Sequence, residues 1–428
     1  MHEPAIHSAV QPKFPIDEIR RQFPSLEDAG PFVFLDNAAG AQIPASVVQA
    51  VTDHLLRRNV QRGGPYRRSR EVDAMIARTR ESVAAFVNAR SADEIAFGLN
   101  ATSFIRAISL AVGQTITSAR SQIVVSELDH EANVATWLAL ERSGARIVWW
   151  RARADGRLHA TDLEALLNSG TRIVACALAS NATGSLVDVT TVSRLAHAVG
   201  AEVFLDAVHF APHGPIDVQR FDCDYLVCSG YKMFAPHMGF VWCRREAINA
   251  LPMFREHFIP DTTPDKLEAG TYAYENIAGM DAAIAYLESL GAGDGRTAVG
   301  GDDGARGARL RLAMTRIAEY ERTLSRALLD EIGGIAGVAI HGVTDRDRLN
   351  ERVPTLAFTV AGVPAARVAE GLASQDIGVR SGHMYSPRLL ARLGLEDGVV
   401  RASLVHYNRI EEIARFRDAL IAVIDGNR

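Results

Sequence analysis

The stretch FLDAVHFAPHGPIDVQRFDCDYLVCSGYKMFAPHMGFVW, residues 204–242, holds three short apolar runs set apart by polar, glycine- and proline-bearing segments. Each run has the length of a strand covered on both faces. Asp206 closes the first run, and Ser229-Gly230-Tyr231-Lys232 closes the second. Ligands of open α/β sheets gather beyond the carboxyl ends of the strands, so Asp206 and Lys232 are the first candidates for a site.

The same pattern extends outward on both sides. The runs IVVS (123–126), RIVWW (146–150), RIVACAL (172–178), EVFLD (202–206), DYLVCS (224–229) and GFVWC (239–243) alternate with helical candidates at 131–143, 161–169 and 190–199. Continuous apolar strands separated by helices predict a mostly parallel sheet in a three-layer α/β domain. A helix over Ser46–Asn59, opened by Pro44, precedes the sheet, and another over 277–290 follows it. Beyond Leu310 come a long helical pattern, a strand near Thr355–Val360, a helix near Ala365–Ser374 and a final helix at Ile410–Ile424. These predict a smaller α+β domain. The expected division is an N-terminal arm (1–30) packing with the small domain, a large domain (31–290), an insertion (291–309) and the small domain (310–428). The insertion, GAGDGRTAVGGDDGARGAR, is too poor in apolar residues to hold itself in place, which predicts a mobile surface segment. It is not a phosphate loop, because no strand precedes it and no G-K-[ST] ends it.

Composition narrows the function. The 428 residues are 48% hydrophobic and 23% charged, and 51 acidic against 46 basic residues give a net charge of −5. No basic face argues for nucleic acid or anionic lipid, and small-molecule chemistry is the better expectation. The opening MHEPAIHSAVQPKFP lacks a secretory pattern, and no apolar run approaches the roughly 20 residues of a membrane helix. Cys176, Cys223, Cys228 and Cys243 show no C-x-x-C spacing and read as reduced, buried residues. A cytoplasmic location is expected.

Pyridoxal 5′-phosphate (PLP) needs an amine for a Schiff base, a carboxylate to keep its pyridine nitrogen protonated, and donors for its phosphate. Lys232, Asp206 and the Ser229 and Tyr231 hydroxyls are the residue types that meet those needs. The plain alternative for Lys232 is a solvated surface lysine. Its place between two apolar strands, with Gly230 permitting close approach, argues against that.

This stretch resembles the cofactor-lysine region of the cysteine desulfurase-like, class V aminotransferase family, whose pattern reads D-x-A-Q and then S-[GH]-H-K. LDNAAGAQIP (35–44) resembles the family's L-D-x-A-A-x-x-x-x-P, and NVQRGGPYRRS (59–69) its N-x-x-R-G loop. FGLNATSFIRAI (97–108), SELDHEANVATW (126–137) and SNATGSLVDV (180–189) resemble its G-T-T-E-x-I-N, E-x-E-H-H-A-N-x-x-x-W and S-N-x-x-G segments. The resemblance implies the fold of type I PLP enzymes. It also implies that Ala101 and Thr102 receive the phosphate at a helix N-terminus, although Thr102 could simply cap that helix. His130 is implied to stack on the pyridine ring and shuttle protons, and Asn181 to hydrogen-bond the phenolic oxygen and touch substrate. His209 stands where the desulfurases have Gln. Thr271, in EAGTYAYEN (268–276), is implied to reach the phosphate of the other subunit of a homodimer. Arg380, in GVRSGHMYSP (378–387), is implied to clamp the substrate carboxylate, with Ala39 also at the substrate and His383 shaping the turn.

The pattern breaks at one place. Where many desulfurases carry G-H-H-C, this chain reads Gly382-His383-Met384-Tyr385, and no cysteine follows Cys243. A thioether or phenol cannot replace a thiolate nucleophile. The expectation is therefore a C–S (Cβ–X) lyase that works without a persulfide cysteine. An aminotransferase or amino-acid epimerase is the alternative, since all share the first chemical step. A non-catalytic partner protein of the same fold is a third reading, disfavoured because Lys232, Asp206 and Arg380 are all present.

Overall fold

The computed structural model describes residues 14–291 and 303–427. Runs rich in β-branched and aromatic residues form strands where both faces are covered. In chain order the strands are β1 (Val33–Phe34), β2 (Ile95–Gly98), β3 (Gln122–Ser126), β4 (Arg146–Trp150), β5 (Thr171–Ala177), β6 (Glu202–Asp206), β7 (Tyr225–Ser229) and β8 (Gly239–Cys243). Then follow β9 (Val338–His341), β10 (Thr355–Val360), β11 (Ile377–Gly378), β12 (Arg380–Gly382) and β13 (Val399–Ser403). The six apolar runs thus become β3 to β8.

Seven strands form one sheet in the order β2-β8-β7-β6-β5-β3-β4. All neighbours are parallel except those of β8, which runs antiparallel to β2 and β7. Alternate side chains enter different cores: Val124, Val174, Leu205 and Leu226 pack on one face, while Ile123, Ile173, Phe204 and Tyr225 pack on the other. That two-residue period, apolar on both sides, is why the sequence reads as continuous apolar runs.

Helices Ala101–Gly113, Ala132–Leu138 and Val189–Ala198 lie between successive strands. The expected helix 161–169 is shorter, ending after Ala160–Glu164. Its last part becomes a turn in which the Asn168 side-chain oxygen accepts from the Gly170 N–H at 2.9 Å, a local bond that competes with helix.

The second sheet is antiparallel, in the order β12-β13-β10-β9, and β1 pairs with β11. Its core of Leu356, Phe358, Val400 and Ala402 packs with Val368 and Phe416, from the helices Ala365–Ala373 and Ile410–Gly426. A long helix, Asp303–Gly333, joins the two regions. It enters the first core with Leu310, Met314 and Ile317 and the second with Leu324, Leu328 and Ile332. This corrects the expected insertion 291–309: residues 303–309 begin that helix, and 292–302 lie outside the described residues. Near the start of the described chain, Phe14 stacks on Tyr320 at 4.4 Å and the Arg20 guanidinium donates to the Tyr407 carbonyl at 2.8 Å. No described helix is long and apolar enough to cross a membrane.

Candidate active site

Asp206 is the last residue of β6, and Lys232 ends the turn Gly230–Lys232 that follows β7. Because β6 and β7 are parallel neighbours, the sheet itself brings the carboxylate and the amine to one edge. Both side chains are buried. They line a pocket with Ala101, Thr102, His130, Asn181, His209, Ser229 and Tyr231. Of the residues expected at a cofactor, Thr271 alone lies apart.

The helix Ala101–Gly113 points its N-terminus at this pocket. Asn100, not Thr102, caps it, accepting from the Ser103 N–H at 2.9 Å. The Ala101 N–H donates to the Ser229 hydroxyl oxygen at 3.0 Å, which leaves that hydroxyl's own proton free to donate elsewhere. Gly239 makes the close approach possible: a Cβ there would stand 2.6 Å from the Asn100 carbonyl carbon.

Burial dominates the electrostatics. It raises the Asp206 carboxyl above its usual range, while the Val208 N–H, donating at 2.8 Å, and the Lys232 charge oppose the shift. Burial, together with the Arg401 charge, lowers Lys232 to about 8, against the pull of Asp206. His130 falls to about 4, first by burial and then by Lys232 and Arg401. Its Nδ1 accepts from the Ala132 N–H at 3.1 Å, so the neutral ring carries its proton on Nε2. Burial also holds His209 far below the ordinary range, with His213 and Lys232 adding to the effect, and its Nε2 meets the Thr355 hydroxyl at 3.1 Å. Behind the pocket, burial raises Asp129 to about 7; Ser126 and Asn133 donate to it, and the Asp206 charge adds to the rise.

Asn181 lines the pocket and also reaches the segment that follows Arg380. Its amide nitrogen donates to the Met384 carbonyl at 2.6 Å and its oxygen accepts from the Ser386 hydroxyl at 3.0 Å. It therefore fastens the segment 383–386, a strap over the pocket in which Met384 and Tyr385 adopt φ of +52° and +57°. Left-handed backbone costs each such residue roughly 1–2 kcal/mol. The Glu131 N–H donates to the Tyr385 carbonyl at 2.7 Å, and Arg388 pairs with Glu131. His383 shapes this turn by accepting the Tyr385 N–H at 3.0 Å.

Arg380 and Ala39 do not line the pocket. Arg380 is exposed and pairs with Asp36 at 2.7 Å, and the Ala39 N–H donates to the Asp36 carbonyl at 2.9 Å. Sequence reasoning missed Arg401, which is buried on β13. It reaches Asp36 at 3.0 Å and the Asn181 carbonyl at 2.8 Å, and its Nε has no hydrogen-bond partner among the described residues. An arginine inside the apolar run VVRAS was the available signal. Thr271 is exposed and accepts from the Gln61 amide at 3.1 Å. All four cysteines are buried and free, and burial pushes their thiols above the ordinary range.

A buried amine facing a buried carboxylate, with a hydroxyl and a helix N-terminus beside them, fits PLP in both charge and donor type. The profile of the aminotransferase class-V family matches residues 33–296 and 307–416. The chain belongs to this family. Family members are PLP-dependent enzymes, and so is this one. Its similarity to an "Aminotransferase-like protein FGM3" of Gibberella zeae is 31% identity, covering 96% of this chain and 99% of that protein. A "Probable cysteine desulfurase" of Synechocystis is 32% identical, with 95% of both chains covered. Among solved structures, the cysteine desulfurase CsdA of Escherichia coli superposes with a TM-score of 0.80 at 27% identity, covering 97% of this chain and 98% of that one. The cysteine desulfurase of Thermococcus onnurineus gives a TM-score of 0.83 at 25% identity, over 97% and 99%.

Proposed function

We propose that this class-V family member acts on an α-amino acid as a lyase that breaks a Cβ–X bond, C–S in the simplest case, without a persulfide-forming cysteine. The observation that carries this reading is the strap: it sets the Tyr385 ring beside His130, its Met384 side chain is buried, and all four thiols lie buried. A buried, protonated thiol is a poor nucleophile.

When bound, PLP supplies an electron sink for the substrate α-carbon. Lys232 Nζ would hold the cofactor, and as a free amine it would take the substrate α-proton; its lowered proton affinity suits it to be a base near neutral pH. Asp206 would keep the ring nitrogen protonated, and that positive partner would offset the burial of its carboxylate. Ser229, Thr102 and the helix N-terminus take the phosphate. Neutral His130 would stack on the ring, and His209 and Asn181, which also line the pocket, would meet the phenolic oxygen. The substrate carboxylate would be taken by Arg401, whose unpartnered Nε is a ready donor, and by Arg380 if it exchanges its Asp36 partner for the substrate.

The working enzyme is a cytoplasmic homodimer in which Thr271 reaches the neighbouring subunit's site. Turnover of L-cysteine followed by mass spectrometry tests the lyase reading. Pyruvate with no sulfur added to the protein is expected. A persulfide on any cysteine overturns it; aminated cofactor indicates a transaminase, and α-deuteration of recovered substrate an epimerase.

A further inference from the structure

We propose that Tyr385 is a specificity-determining residue, its phenol hydroxyl hydrogen-bonding the substrate side chain and selecting one that ends in a carboxylate. The inference rests on the pocket being the PLP site and says which amino acids enter it.

The backbone that carries the ring is held in place. Two consecutive left-handed residues are fastened by the Asn181 amide on Met384, by the Glu131 N–H on Tyr385 and by the Tyr385 N–H on His383. A tyrosine that is only solvated needs no such fastening. The ring centroid lies 5.3 Å from that of His130, tilted by 36°, and 5.8 Å from that of His383 at 80°. The phenol stands within electrostatic reach of Tyr231 and Arg380. Since His130 and Tyr231 both line the pocket, Tyr385 stands at its mouth, with 57% of its surface exposed. Its hydroxyl has no hydrogen-bond partner among the described residues.

The charges around the mouth set what the hydroxyl meets. The nearby acids are already held, Asp36 by Arg380 and Arg401 and Glu131 by Arg388. What remains is donors: the phenol O–H and the ring N–H groups of His130 and His383. A cluster of donors with no acceptor among them favours an anionic acceptor.

The test is titration of the PLP-loaded enzyme with L-aspartate and with L-alanine, read through cofactor absorbance, for the wild type, Y385F and Y385A. The wild type is expected to bind L-aspartate at least about tenfold tighter than L-alanine, a preference that falls to about onefold in both variants, with L-alanine affinity kept within about twofold. No preference in the wild type, or a preference that survives in both variants, overturns the proposal. Protein that carries PLP but lacks this selectivity refutes the role of Tyr385 alone; protein that takes up no PLP refutes the cofactor reading beneath it as well.

Discussion

The floor of the pocket and the strap over its mouth are built in opposite ways. Asp206 and Lys232 stand at the ends of neighbouring parallel strands, held by a ladder in which Phe204, Leu205 and Asp206 face Tyr225, Leu226 and Val227. The strap has no ladder beyond Gly382; side chains from elsewhere in the chain, Asn181 above all, hold its backbone in a left-handed turn. Groups that every amino-acid reaction on this cofactor needs are thus placed by many shared backbone bonds. Groups that choose substrate and outcome depend on a few replaceable contacts.

The comparison breaks most sharply at Lys232. The Lys232→Ala variant is expected to keep its fold by circular dichroism, to lose its cofactor on dialysis and to lose turnover by a factor on the order of a thousand or more. Retained turnover would mean that the floor is not where the chemistry happens.

The floor also predicts a pH dependence for cofactor capture by the apoprotein. Only the neutral amine attacks an aldehyde, and burial brings Lys232 to about 8. The capture rate should therefore rise about tenfold per pH unit below that value and level off above it, since a protonated amine has no free electron pair. Stopped-flow absorbance would follow it. A rate still climbing at the pH where ordinary lysines titrate would show an amine that the fold leaves unperturbed.

For the strap, Asn181→Ala removes two of its fastenings, worth about 1–3 kcal/mol locally. Amide exchange at residues 383–386 is expected to speed up by roughly 10- to 100-fold, with β6 and β7 unchanged. Equal effects in both places would erase the distinction between a laddered floor and a pinned strap.

Much of the floor was legible in the sequence because strands covered on both faces must be apolar throughout, as β5 and β7 are. Lys232 and Asp206 were legible because charged residues directly after such runs have only the sheet edge to occupy. Arg401 escaped because its meaning lies in Asp36, remote in sequence, and the hold of Asn181 on Met384 and Ser386 escaped for the same reason. The helix expected at 161–169 was overextended because Asn168 and Gly170 close a turn that apolar period alone does not register.

By itself, then, the order of residues determined the strand–helix alternation, the family, and the amine and carboxylate at the sheet edge. These depend on periodicity and on neighbours close in the chain. Only the tertiary structure decided that Arg380 and Arg401 share Asp36, that Asn181 holds the strap and that Tyr385 overlooks His130. Such contacts join residues far apart in the chain, and their geometry follows from how the two sheets pack around one helix.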